Sequence, residues 1–168
     1  MTSAPATPAT ERLTAAGISW RGHVYRHDRT AIAQGLSYGL EAAAALAETE
    51  AIDVDQVFKT LLVQVEGVGL VVAIVPVALL LDLKALGQVA GGKRAEMAAP
   101  ALAERSTGYV VGGISPIGQR KALPTFLDER AIVLERIFVS GGRRGFDIEI
   151  TPTDLLAVTG GQYAQIAR

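Results

Sequence analysis

The alternation of apolar and polar positions divides the 168-residue chain into short elements. A helix is predicted from about Ala9 to Ala16, with Leu13 facing inward and Gly17 as its stop. Alternation through His23, Tyr25 and His27 predicts a strand. The alanine-rich run Glu41–Glu48 has high helix propensity. Gln56–Val65 and Leu70–Val75 are apolar stretches on either side of Glu66-Gly67-Val68-Gly69, the pattern of a hairpin. A helix near Leu81–Val89 is ended by Gly91-Gly92, and a short strand follows from Lys93 to Met97. Pro100 suits the first turn of a helix reaching about Glu104. Further strands are predicted at Thr125–Leu127, Arg136–Ser140 and Phe146–Ile150, the last two flanking a Gly141–Gly145 turn. Thr151-Pro152-Thr153-Asp154 carries the cap, proline and acid that open a final helix.

Strands outnumber helices and are joined mainly by hairpins. The expected class is therefore α+β, with a mixed, mostly antiparallel sheet and helices packed outside it. The length suits one domain, and neither a repeat nor a linker divides it. Half of the residues are hydrophobic but few are aromatic, so the core is expected to be aliphatic. Residues 1–10 are a low-complexity stretch expected to form a disordered tail, leaving 11–168 as the domain.

The longest apolar run, Val68–Leu81, falls short of the ~20 residues of a spanning helix, and Pro76 interrupts it. A soluble protein with no membrane partner is expected. A formal net charge of −1 argues against a protein that grips nucleic acid by bulk electrostatics. The absence of cysteine excludes disulfides, thiolate zinc sites and a cysteine nucleophile, and it fits a reducing cytoplasm.

Three segments carry candidate chemistry. In Val110-Val111-Gly112-Gly113-Ile114-Ser115-Pro116-Ile117-Gly118-Gln119, glycines let main-chain N–H groups approach a ligand. Lys59 stands alone in the apolar run Val57–Val63. By itself it is either a solvated edge-strand lysine or the cation of a pocket. Ser140-Gly141-Gly142-Arg143-Arg144-Gly145 is either a hairpin turn or an anion-binding nest with an arginine for phosphate. Asp147 is placed to orient an amino group or to pair with an arginine. His23 and His27 share a strand face, but no third ligand at telling spacing accompanies them.

Phe58-Lys59-Thr60-Leu61-Leu62-Val63, Arg105-Ser106-Thr107-Gly108-Tyr109 through Gly118-Gln119, Ser140–Gly145 and Tyr25-Arg26-His27-Asp28 together resemble the YbaK family. These free-standing aminoacyl-tRNA editing domains are relatives of the editing insertion of bacterial prolyl-tRNA synthetases. The resemblance runs from about Leu13 to Ala167 and implies a curved sheet or barrel. It implies a deacylase of mischarged Cys-tRNA(Pro), and of Cys-tRNA(Cys), working without cofactor or metal. There the substrate's own thiol attacks its carbonyl and expels the tRNA.

The resemblance implies Lys59, Gly112 and Gly113 as the catalytic set. It implies Tyr25, Tyr38, Thr60, Ile114, Ser115, Ser140, Arg143 and Asp147 around the substrate. Tyr38 stands where the family usually has phenylalanine. In a regular strand Thr60 points to the face opposite Lys59, so a shared site needs a bulge or a strand end. The implied partners are the 3′ acceptor end of aminoacylated tRNA and prolyl-tRNA synthetase. Alternatives are an Ala-tRNA(Pro) deacylase and a non-catalytic tRNA or synthetase accessory protein. A serine hydrolase is disfavoured, since no nucleophile elbow is present.

Overall fold

The computed structural model describes residues 3–168; Met1 and Thr2, the start of the expected tail, lie outside the described residues. The first half contains α1 (Pro8–Ala15), β1 (Arg21–Val24), α2 (Arg29–Ala33), α3 (Tyr38–Thr49), β2 (Phe58–Val65) and β3 (Gly69–Pro76). The second contains α4 (Leu83–Val89), β4 (Ala95–Met97), α5 (Pro100–Thr107), β5 (Thr125–Asp128), β6 (Ile137–Arg143), β7 (Phe146–Ile150), α6 (Pro152–Thr159) and β8 (Gln162–Ala164).

The strands form two sheets, ordered β1-β7-β6 and β4-β2-β3-β5-β8. Pairing is antiparallel except where β5 lies parallel to β3 and to β8. This is the expected α+β domain with mixed sheets flanked by helices. The sheets do not merge into one closed barrel; they touch at a parallel bridge between Val57 and Phe138. Beyond the bridge, β6 loses register with β7 between Ser140 and Arg143, and the bulge at Gly141-Gly142 bends it away from β2.

Alternate residues of β2 and β3 enter two different cores. Phe58, Leu62, Val72 and Ile74 pack with Ile137, Val139, Phe146, Ile148 and Leu155. Val63, Val65, Val71, Ala73 and Val75 pack on the opposite face with Leu86, Phe126 and Ile166. Burial on both faces is why Leu70–Val75 is continuously apolar. Val57, Val77 and Phe138 form a third cluster beneath Ala43 and Leu46 of α3.

Several sequence expectations are corrected. The composition of residues 7–10 suggests a tail, but Ala9 is fully buried and the Thr7 hydroxyl donates to the Gly141 carbonyl at 2.6 Å. Thr7 also caps α1. The strand expected through His27 ends at Val24, because Asp28 caps α2 by accepting from Thr30 and Ala31 N–H. Helix α3 begins earlier than its alanines, at Tyr38, because the Ser37 hydroxyl accepts from Leu40 N–H. Gly141-Gly142 form the bulge of β6, and the turn itself is only Arg144-Gly145.

Candidate functional site

Where β2 and β6 part, a cavity of about 340 Å³ opens. That volume lies in the range of small-molecule sites. Its walls come from five consecutive residues of β2, Phe58 to Leu62, together with Tyr25, Tyr38, Gly112, Ile114, Ser140 and Asp147. No bulge in β2 is needed to bring Lys59 and Thr60 to one site. The β2–β3 register is unbroken, and the cavity runs along the strand's open edge, where both faces are reached.

Lys59 is partly buried, and its ammonium donates to the Leu79 carbonyl at 2.8 Å. Desolvation lowers its pKa from the ordinary lysine value. This is the behaviour of a pocket cation rather than of a lysine freely in water. Beside it the Thr60 Oγ1 is buried without a hydrogen-bond partner.

The glycine segment forms a tight turn packed against the β6–β7 hairpin. Gly113 N–H donates to the Val110 carbonyl at 2.9 Å, and Val111 N–H donates to Glu104 Oε1 at 3.0 Å. Among the described residues, Gly112 and Ile114 N–H have no protein acceptor. The expectation that Gly113 supplies a catalytic donor is thereby corrected: its N–H closes the turn. Its missing side chain matters instead for packing, since a Cβ there would lie 2.8 Å from the Arg143 and Arg144 backbone. Gly112 adopts φ +89°, and a Cβ on it would meet the Tyr38 ring at 2.7 Å.

Asp147 is 4% exposed. Burial, opposed by the hydrogen bond from the Tyr25 hydroxyl, pushes its carboxyl up to about 7. Burial and the neighbouring Asp147 and Glu41 carboxylates raise the Tyr25 pKa, so Tyr25 stays a proton donor. Ser140 faces Asp147 in the β6–β7 register, and its hydroxyl accepts from Gly142 N–H at 3.3 Å.

Tyr38, on the cavity wall, is flanked by two further side chains. The His27 and Tyr38 rings lie 5.7 Å apart at 24°, and the Arg144 guanidinium sits 5.0 Å from the Tyr38 centroid. His27 Nδ1 contacts the buried Glu41 carboxylate at 3.0 Å, which also accepts from Asp28 N–H.

Three expected residues lie elsewhere. Ser115 is fully buried, and its hydroxyl accepts from Ile117 N–H at 3.2 Å, so it builds the turn. Arg143 is exposed and does not line the cavity; its neighbour Arg144, also exposed, is the arginine that lies over the Tyr38 ring. Gly113 is the third. The Glu41–His27 pair went unread because its only sequence signal is an acid in the first turn of an alanine-rich helix.

His23 and His27 bind different carboxylates: His23 Nε2 lies 2.7 Å from Glu149. Among the described residues no group of three or more His, Cys, Asp or Glu is placed to hold a metal. No helix among them is long and apolar enough to cross a membrane. A wider hollow of about 660 Å³ lies between Arg26–Ala31 and α3. It mixes exposed arginines with Glu48 and Asp28 and offers no orphaned polar group.

A family model of the aminoacyl-tRNA editing domain matches residues 39–158. Over 125 residues the chain is 42% identical to EbsC of Enterococcus faecalis, a protein proposed to be a Cys-tRNA(Pro)/Cys-tRNA(Cys) deacylase. That match spans 74% of this chain and 76% of EbsC. A crystal structure of a protein proposed to be a trans-editing enzyme for prolyl-tRNA synthetase is similar at TM-score 0.78 and 27% identity. It covers 98% of this chain and 99% of its own. The hypothetical protein APE2540 shares the fold at TM-score 0.80 and 23% identity, over 96% of this chain and 100% of its own.

Proposed function

The chain belongs to the aminoacyl-tRNA editing domain family, and on that premise we propose that it is a trans-acting deacylase that breaks the ester of a mischarged tRNA, Cys-tRNA(Pro) above all. The observation that carries this reading is the cavity itself. It brings together a desolvated ammonium, main-chain N–H groups without acceptors and a buried carboxyl, and it offers no side chain activated as a nucleophile.

In this reading the Gly112 and Ile114 N–H groups receive the ester carbonyl oxygen as it gains negative charge. Lys59 supplies positive charge to the terminal phosphate or to the same oxygen. Asp147 holds the substrate ammonium, and Tyr38 with Arg144 forms a stacking platform for the unpaired terminal adenine. The bond-making atom comes from the substrate. The cysteine sulfur bonds to its own carbonyl carbon, the bond from that carbon to the tRNA 3′ oxygen breaks, and the thiol proton ends on that oxygen. The protein's contribution is then positioning, which can supply about 7–11 kcal/mol. A cysteine-free chain suits chemistry in which the only thiol belongs to the substrate.

The partner in this reading is prolyl-tRNA synthetase, which presents the acceptor end in the cytoplasm. A chain of net charge −1 lacks the field to hold tRNA tightly alone. Tight binding of tRNA by the isolated protein at physiological salt, unimproved by the synthetase, would refute that partnership. The deacylase assignment is tested with Lys59→Ala, expected to fold normally and to lose about 100-fold or more of Cys-tRNA(Pro) turnover. A folded variant with unchanged turnover would overturn it.

A further inference from the structure

The wall of the cavity formed by β2 offers main-chain groups as well as side chains. In an antiparallel ladder, successive residues send their N–H and C=O to opposite edges. The Val57 carbonyl accepts from Val77 N–H at 2.9 Å and so faces β3. The Leu62 carbonyl accepts from Ala98 N–H at 3.0 Å and so faces the other edge. With the register between them unbroken, the N–H and C=O of Thr60 also point away from β3.

Among the described residues no strand pairs with β2 at Thr60 on that side. β4 pairs with β2 only from Val63 to Val65, and β6 has left after the Val57–Phe138 bridge. The Thr60 main chain therefore borders the cavity, and its side-chain hydroxyl is buried without a hydrogen-bond partner among the described residues. Buried polar groups are almost always paired in native proteins, so the open hydroxyl, beside a main chain that no neighbouring strand pairs on that edge, marks the place of a missing partner.

We propose that the aminoacyl residue of the substrate docks on the open edge of β2 as a one-residue strand, exchanging two hydrogen bonds with the main chain of Thr60. Thr60 N–H donates to the ester carbonyl oxygen, and the Thr60 carbonyl accepts from the α-ammonium. This rests on the deacylase reading above and specifies how the same cavity takes its substrate. An α-amino ester presents an N–H donor and a C=O acceptor at the spacing of a peptide residue, so it reproduces the close hydrogen-bonded pair of a ladder. Thr60 N–H becomes a further donor to the developing oxyanion, alongside Gly112 and Ile114. Because every α-amino acid carries the same backbone groups, this contact recognises aminoacyl esters as a class. Discrimination is left to what the amino acid's side chain can do.

The test uses 3′-deoxy-3′-(L-alanylamino)adenosine, a stable amide mimic of the charged terminus, followed through the protein's amide NMR signals. The Thr60 amide is expected to shift downfield and to exchange more slowly with water. Lys59 and Leu61, whose groups face β3, should barely move. If Gly112 and Ile114 respond while Thr60 does not, the edge pairing is wrong and the deacylase reading stands. No response from any cavity residue at millimolar probe would sink both. As a second arm, Thr60 is replaced by its α-hydroxy acid analogue, which keeps the side chain, removes the N–H and weakens only the Lys59 carbonyl, one acceptor in the long β2–β3 ladder. That N–H has no strand to pair with in the free protein, so the fold should be retained while kcat/KM falls about tenfold or more. Retained kcat/KM would overturn the proposal.

Discussion

The Arg144 guanidinium lies 5.0 Å from the centre of the Tyr38 ring while donating to the Val111 carbonyl from Nε at 2.9 Å and Nη2 at 2.7 Å. One side chain thus ties the hairpin β6–β7 to both the glycine segment and the N-terminus of α3. Loss of Arg144 frees the Tyr38 ring and the Val111 peptide together. Arg144→Ala is expected to raise KM for mischarged tRNA about tenfold, with a smaller effect on kcat. Arg143→Ala, at the exposed neighbour, should stay within about twofold of wild type. Steady-state deacylation by the two variants checks this, and equal effects would show that the stack does not position the substrate.

Gly112 has no room for a methyl group. With φ +89°, an alanine there is strained, and its Cβ would lie 2.7 Å from the Tyr38 ring and 2.9 Å from Arg144 Nε. Gly112→Ala is expected to cost about 1–3 kcal/mol of stability and to abolish most activity by displacing the ring. Urea unfolding and deacylation of the same sample measure both. A variant as stable and active as wild type would contradict the packing described.

Asp147 gives a pH dependence with a definite sign. Its carboxyl titrates at about 7 in the folded protein, against the ordinary 3.8. Between these values the folded state holds more protons than the unfolded chain. This contribution to stability is therefore present at low pH and declines as pH rises from about 4 to about 7. Asp147→Asn should flatten that part of the stability curve. Activity should run the other way, rising toward a midpoint near 7 as the carboxylate forms. Asp147→Asn is expected to lower kcat/KM about ten- to hundredfold and to remove the rise. The Tyr25 hydroxyl lowers this pKa, so Tyr25→Phe should move the midpoint upward. A pH–rate profile unchanged in both variants would remove Asp147 from the mechanism.

Much of this arrangement was legible in the chain because its signals are local. Apolar runs marked β2 and β3, Thr151-Pro152 marked α6, and Lys59, Thr60, Tyr25, Tyr38 and Asp147 all reach the cavity. What escaped depends on contacts distant in sequence. Ser115 and Gly113 look like ligand contacts by motif, yet their polar groups close a turn. The choice between Arg143 and Arg144 is set by the bulge at Gly141-Gly142, which fixes which arginine faces Tyr38. The ordering of residues 7–10 follows from a hydrogen bond between Thr7 and Gly141 that composition cannot announce. The shared site of Lys59 and Thr60 arises from a gap between two strands, a property of the assembled sheets and of neither strand alone.

The central claim, that the substrate's thiol performs the attack, is tested most directly by single-turnover deacylation of cysteinyl-, seryl- and alanyl-tRNA(Pro), with the released small molecule identified. Seryl and alanyl groups are expected to bind in the same cavity, since small side chains differ by only about 1–3 kcal/mol in binding. Release of cysteine far faster than either, with a cyclic thioester as the first product, is the predicted result. Equal rates for the three, with free amino acid released directly, would contradict it.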